Sequence, residues 1–200
     1  MKHREALTEL INIGYGRAAG SLSELTGQRI ALTAPNVELC SIGRVKEELN
    51  KILKDEVASV HQVFTGAVSG HALLLVTRDG AEVLTSLLMG DQAAAASRAA
   101  QRESLAELGN IILQGSMGIC GDALHIHVTF SVPSLALESV DDLLNSITVE
   151  ESELQYALLV QTRFELLKSQ MSGYLVVVLG ITSFANLLEG LDSWERRQNV

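Results

Sequence analysis

A chain of 200 residues with a formal net charge of −9 excludes a general nucleic-acid binder, since counterion release from phosphates needs a basic face. Hydrophobic residues make up 47% and charged residues 20%, enough apolar material for a substantial core in one domain or two intimately packed halves. The two cysteines, Cys40 and Cys120, lie outside any CxxC spacing; they exclude a disulfide framework and read as small buried hydrophobes of a reducing compartment.

In chain order, MKHREALTEL carries charges where a signal peptide needs an apolar run. Residues 4–25 predict a long helix, with Leu7, Ile11, Gly14, Ala18, Leu22 and Leu25 on its core side. Glu5, Glu9, Asn12 and Gly16 gather on the opposite side. Val45, Leu49 and Ile52 predict a short helix, 57–66 with 70–78 a hairpin, and a further short helix closes the half. The alanine-rich 90–101 reads as a helical lead-in to a second long helix over about 98–122. There Leu105, Gly109, Ile112, Ser116, Cys120 and Ala123 face inward, and Glu103, Glu107, Asn110 and Gln114 form the outer stripe. HIHVTFSV (125–132) predicts a strand in which Ile126, Val128, Phe130 and Val132 alternate with polar residues. A short helix near 141–147, a hairpin of 154–166 with 172–180 and a closing helix follow, with Trp194 as peripheral packing. The apolar runs 71–77 and 174–184 fall short of the ~20 residues a membrane helix needs, so no membrane insertion and a cytoplasmic location are expected.

The elements recur in the same order because the sequence recurs. A shift of 98 residues lays Arg4, Glu5, Leu7, Glu9, Leu10, Asn12 and Ile13 on Arg102, Glu103, Leu105, Glu107, Leu108, Asn110 and Ile111. The chain's two prolines, Pro35 and Pro133, each fall 23 residues after their asparagine. The expected architecture is a single α/β (α+β) domain made of two homologous halves, about 1–97 and 98–200. The halves share a mostly antiparallel sheet, with the two long helices packed against it.

Each helix thus carries a carboxylate and a carboxamide one turn apart, facing outward. A solvated face is the ordinary explanation of such a stripe, but asparagine is a mediocre helix former, and its repetition at fixed distances calls for a task. A carboxylate can pair with a cation on another protein, and a carboxamide can orient water without titrating. Phosphoryl hydrolysis needs water positioned in line. The stripe reads as half an active site, completed by a second protein. His125 and His127 have no third ligand at suitable spacing, and no metal constellation stands out.

These residues resemble the CheC-type chemotaxis phosphatases (CheC/CheX/FliY), whose motif runs Asp or Ser, three residues, Glu, two residues, Asn, about 22 residues, Pro. Glu5, Glu9, Asn12 and Pro35 match it once, and Glu103, Glu107, Asn110 and Pro133 again, with NIGYGRAAG (12–20) and ELGNI (107–111) in support. Two copies, with no further domain after residue 200, point within the family to CheC rather than a FliY-type switch component. Glu5 and Glu103 depart from the family's Asp or Ser. The resemblance implies dephosphorylation of a phosphorylated CheY-like response regulator, with Asn12 and Asn110 orienting water and Glu9 and Glu107 engaging the regulator's lysine. Glu5, Gly16, Glu103 and Gln114 would contact the regulator. The protein would have no cofactor of its own, Mg2+ would sit on the regulator, and CheD is an implied second partner. The competing expectation is a non-catalytic adaptor that binds CheD or the phosphorylated regulator.

Overall fold

The computed structural model describes residues 3–150, 154–166 and 169–198. The first half runs α1 (Arg4–Thr26), β1 (Ile30–Ser41), α2 (Ile42–Ile52), β2 (Val57–Gly66), β3 (Gly70–Thr77) and α3 (Arg78–Met89). The second runs α4 (Arg98–Leu124), β4 (Val128–Phe130), β5 (Ser134–Glu138), α5 (Val140–Glu150), β6 (Leu154–Leu166), β7 (Ser169–Gly180) and α6 (Ile181–Gln198). Each half is therefore helix, edge strand, helix, hairpin, helix.

All seven strands join one antiparallel sheet in the order β1-β6-β7-β3-β2-β4, with β5 also paired to β2. The hairpins β2–β3 and β6–β7 meet along β3 and β7, where Leu74 faces Leu175. These central strands are buried on both faces. Ala72, Leu74, Leu175, Val177 and Leu179 enter a core beneath α1, α3, α4 and α6. Leu73, Leu75, Val176 and Val178 enter a second core with Val45 and Leu49 of α2 and Leu143 and Ile147 of α5. That is why ALLLV and LVVVL are continuously apolar rather than alternating.

The long helices cross at close range. A Cβ on Gly14 would lie 2.6 Å from the Ser116 Cα, and one on Gly115 would lie 2.9 Å from the Ala18 Cβ. A Cβ on Gly109 would lie 2.5 Å from Val60 Cγ1, so this glycine lets α4 settle directly on β2.

Several expectations change. The strand expected over 125–132 is only Val128–Phe130: His125 caps α4 with a left-handed φ of 57°, and Val132 is 87% exposed. The chain leaves the ladder before Pro133, which has no N–H to offer it, and resumes as β5. Of the alanine-rich segment 90–101, residues 98–101 open α4 as expected, but 90–97 are a 3-10 turn at Gly90–Gln92 followed by turns, and Ser97 caps α4 by accepting from the Ala100 N–H. Leu25 and Ile52 are exposed at the ends of their helices, whereas Trp194 is buried in the main core rather than peripheral. Cys120 is buried and Cys40 half-buried.

Candidate functional site

On α1, Glu5, Glu9 and Gly16 are exposed and Asn12 is half-buried. On α4, Glu103, Glu107 and Gln114 are exposed and Asn110 is half-buried. The outward stripes stand where the helical spacing puts them. Neither Glu9 nor Glu107 has an ion-pair or hydrogen-bond partner among the described residues. Both carboxylates are thus open to a partner's cation.

The repeated arginines have a structural task. Arg4 donates to Asn36 Oδ1 at 2.6 Å, and Arg102 donates to the Leu135 carbonyl, so each ties the start of its long helix to an edge strand. Position follows for the asparagines downstream.

The first asparagine is clamped by backbone. The β1–β6 register shifts between Thr33 and Asn36, leaving Ala34 and Pro35 as a bulge. The Ala34 N–H freed there donates to Asn12 Oδ1 at 2.8 Å, and Asn12 Nδ2 donates to the Thr8 carbonyl at 2.8 Å. A backbone N–H can only donate, so the carboxamide has one orientation. One lone pair and one amide hydrogen remain for an outside group. Pro35 shapes this bulge on an edge strand, where its missing N–H does no harm. Beneath it Thr162 Oγ1 pairs with the buried Tyr15 hydroxyl at 2.6 Å.

The second asparagine is held differently. The matching break in the edge lies at Ser131–Pro133, between β4 and β5. Opposite it on β2 stands Gln62, fully buried, whose Nε2 donates to the Ser131 carbonyl at 2.8 Å and to Asn110 Oδ1 at 3.0 Å. The Ser131 carbonyl can only accept, which fixes the Gln62 amide and, through it, that of Asn110. Gln62 Oε1 is left buried with no partner among the described residues. A second donor then arrives from outside: Gln114 Nε2 lies 2.6 Å from the same Asn110 Oδ1. Both lone pairs of that oxygen are filled.

Gln62 is the residue the sequence reading missed. A signal existed: Ala58, Val60 and Phe64 alternate inward on β2, and Gln62 is the polar member of that inward set. Gln114, expected to face a partner, is exposed but turned back onto its own helix.

Other groups lie apart from the stripes. A cleft of about 810 Å³ between α3, α4 and β5 is lined by Arg78, Arg98, Arg102, Glu82, Asp91 and apolar residues including Leu105. His3, Asp192 and Glu195 bring ligand atoms within 4.8 Å of one another, a group not singled out from sequence. His3 Nδ1 lies 3.3 Å from Glu195 and its Nε2 3.8 Å from Asp192, so both ring nitrogens already face carboxylates. His61 Nε2 and His71 Nδ1 are 2.8 Å apart across the β2–β3 hairpin. Burial and then the neighbouring His71 push the His61 pKa down to about 4. No helix among the described residues is long and apolar enough to cross a membrane.

No family model matches the chain. It is 26% identical over 87 residues to the flagellar motor switch phosphatase FliY of Bacillus subtilis (strain 168), spanning 44% of this chain and only 22% of that protein. The crystal structure of Thermotoga maritima FliY superposes with a TM-score of 0.77 at 20% identity, covering 96% of this chain and 97% of that one. FliM in a FliG–FliM complex from H. pylori gives 0.64 at 11% identity, covering 92% and 96%. The chemotaxis protein CheX of Desulfovibrio desulfuricans gives 0.51 at 12% identity, covering 84% and 99%. Fold and matched sequence together bear out the resemblance to the CheC/CheX/FliY family.

Proposed function

We propose that this protein is a phosphatase that hydrolyses the aspartyl phosphate of a CheY-like response regulator. The observation that carries the reading is the clamped carboxamide: Asn12 is held by a backbone donor from inside while Glu9, one turn earlier, stays exposed and unpaired. A water that donates to the remaining lone pair of Asn12 Oδ1 would have its oxygen turned towards phosphorus. Its attack forms the new P–O bond as the P–O bond to the aspartate breaks. Inorganic phosphate and a free carboxylate result. Glu9 would pair with a regulator cation and fix the register of docking, and Glu107 and Asn110 would form the second copy.

Positioning is the main contribution such a site can make, since neither Glu9 nor Asn12 is suited to attack phosphorus itself and the charge of the acyl phosphate would be neutralised on the regulator's side, where Mg2+ would bind. The similarity to a protein named a switch phosphatase supports this reading. A receiver domain phosphorylated with acetyl phosphate, mixed with the protein in Mg2+ buffer, should release phosphate faster than it does alone. An unchanged release rate would contradict the proposal.

A second reading is a docking module that binds a phosphorylated regulator or CheD and hydrolyses little. FliM, which shares the fold over 92% of this chain, appears in complex with FliG and favours assembly as a use of this architecture. The readings separate on whether a bound phosphorylated receiver shortens or keeps its lifetime.

A further inference from the structure

The two stripes differ at one equivalent position, Gly16 on α1 and Gln114 on α4, each four residues after its asparagine. Gly16 has no side chain to set over Asn12, and a Cβ built there would meet nothing within 4 Å. At the other stripe Gln114 Nε2 lies 2.6 Å from Asn110 Oδ1, on an oxygen already taken from below by Gln62 at 3.0 Å. The Gln114 amide cannot be turned to offer its oxygen to Asn110 Oδ1, since two acceptors would then face each other. It stands where a water would have to donate.

Resting on the phosphatase reading above, we infer that Gln114 is a gate on the second stripe: it holds Asn110 self-satisfied, so that the open first stripe carries most of the turnover. With a phosphorylated receiver docked on α4, water reaches Asn110 Oδ1 only while the Gln114 amide is swung away, so the gate acts on the bound complex. An exposed hydrogen bond at i,i+4 on a helix is weak, so the gate is a bias of about twofold, not a lock. The likeness of the two motifs in sequence thus conceals unequal sites. Gln62 adds to the asymmetry, because it fills the first lone pair with a side chain where the first stripe uses backbone.

The test isolates each site with the other asparagine replaced, using a CheY-type receiver domain phosphorylated with acetyl phosphate in Mg2+. In the Asn12→Ala background, Gln114→Ala should raise kcat about 1.5- to 2.5-fold with little change in KM. In the Asn110→Ala background, Gly16→Gln should lower kcat by a similar factor. The Asn110 side-chain amide resonance should shift on Gln114→Ala in the otherwise unchanged protein. Acceleration by the wild type with kcat unmoved by Gln114→Ala, or with only KM raised as for a docking contact, would overturn the gate and leave the phosphatase reading standing. No acceleration by the wild type would overturn both.

Discussion

Gln62 Nε2 stands 3.0 Å from Asn110 Oδ1, and the same nitrogen stands 2.8 Å from the Ser131 carbonyl. A buried strand residue therefore links the backbone break before Pro133 to a carboxamide on the helix above it. At the first stripe the Ala34 N–H of the bulge reaches Asn12 Oδ1 directly. In the first half the edge break beside the proline clamps the asparagine itself, and in the second its Ser131 carbonyl orients the Gln62 amide that does so.

Replacing Gln62 by leucine should separate this role from folding. The change removes a buried, unpartnered Oε1, which offsets the loss of two modest hydrogen bonds, so stability measured in urea should move by no more than about 1 kcal/mol. With Asn12 already replaced by alanine, hydrolysis through the second stripe should slow about tenfold, equivalent to ~1.4 kcal/mol of transition-state stabilisation. A large loss of stability with an unchanged rate would show that Gln62 is purely structural.

Asn12→Ala should cost stability as well as activity. It strips the acceptor from the N–H of Ala34, a residue 3% exposed, and an unpaired buried donor costs about 1–3 kcal/mol. Asn110→Ala takes one acceptor from the buried Gln62 Nε2 but leaves it the Ser131 carbonyl, and it strips no backbone donor, so its urea midpoint should fall less. Equal midpoints for the two variants would contradict the backbone clamp.

Glycines on α1 should respond in opposite directions. Gly14→Ala sets a Cβ 2.6 Å from the Ser116 Cα, and forcing the helices apart should cost roughly 1–3 kcal/mol. Gly20→Ala meets open space and should stabilise by about 0.5–1 kcal/mol through helix propensity. Thermal unfolding of the two variants reads both signs.

Acid should weaken the fold through His61. Its pKa of about 4 in the folded protein lies below the ordinary 6.5, so the unfolded chain binds the extra proton between those values. Stability from this group is complete above pH 6.5 and is lost as pH falls towards 4. The ring is partly exposed, so solvent screening reduces the effect to ~1 kcal/mol, about 2–4 °C in Tm. His61→Gln should flatten the Tm-against-pH curve over that interval; an unchanged slope would contradict the assignment.

Much of the architecture was legible because periodicity reports burial directly. The two long helices, both hairpins and the outward placement of Glu5, Glu9, Glu103 and Glu107 follow from it. The strand at 125–132 was misread because alternation says nothing of where a ladder breaks; Val132 keeps the period yet points to solvent. The clamps were out of reach for another reason. They join residues 22 positions apart for Asn12 and 48 for Asn110, and only the sheet register brings those pairs together. The inequality of Gly16 and Gln114 could be seen as a difference in bulk, but the direction of the Gln114 amide depends on Gln62 and Ser131 beneath it.

In the proposed function, Asn12 and Asn110 place the water that hydrolyses an acyl phosphate. The most direct test is the lifetime of an acetyl-phosphate-labelled receiver domain bound at saturation to the wild type and to the Asn12→Ala, Asn110→Ala double variant. A shortened lifetime is expected on the wild type and, at equal occupancy, the receiver's own lifetime on the double variant. Equal lifetimes on both proteins would contradict it and leave the stripes as docking rails.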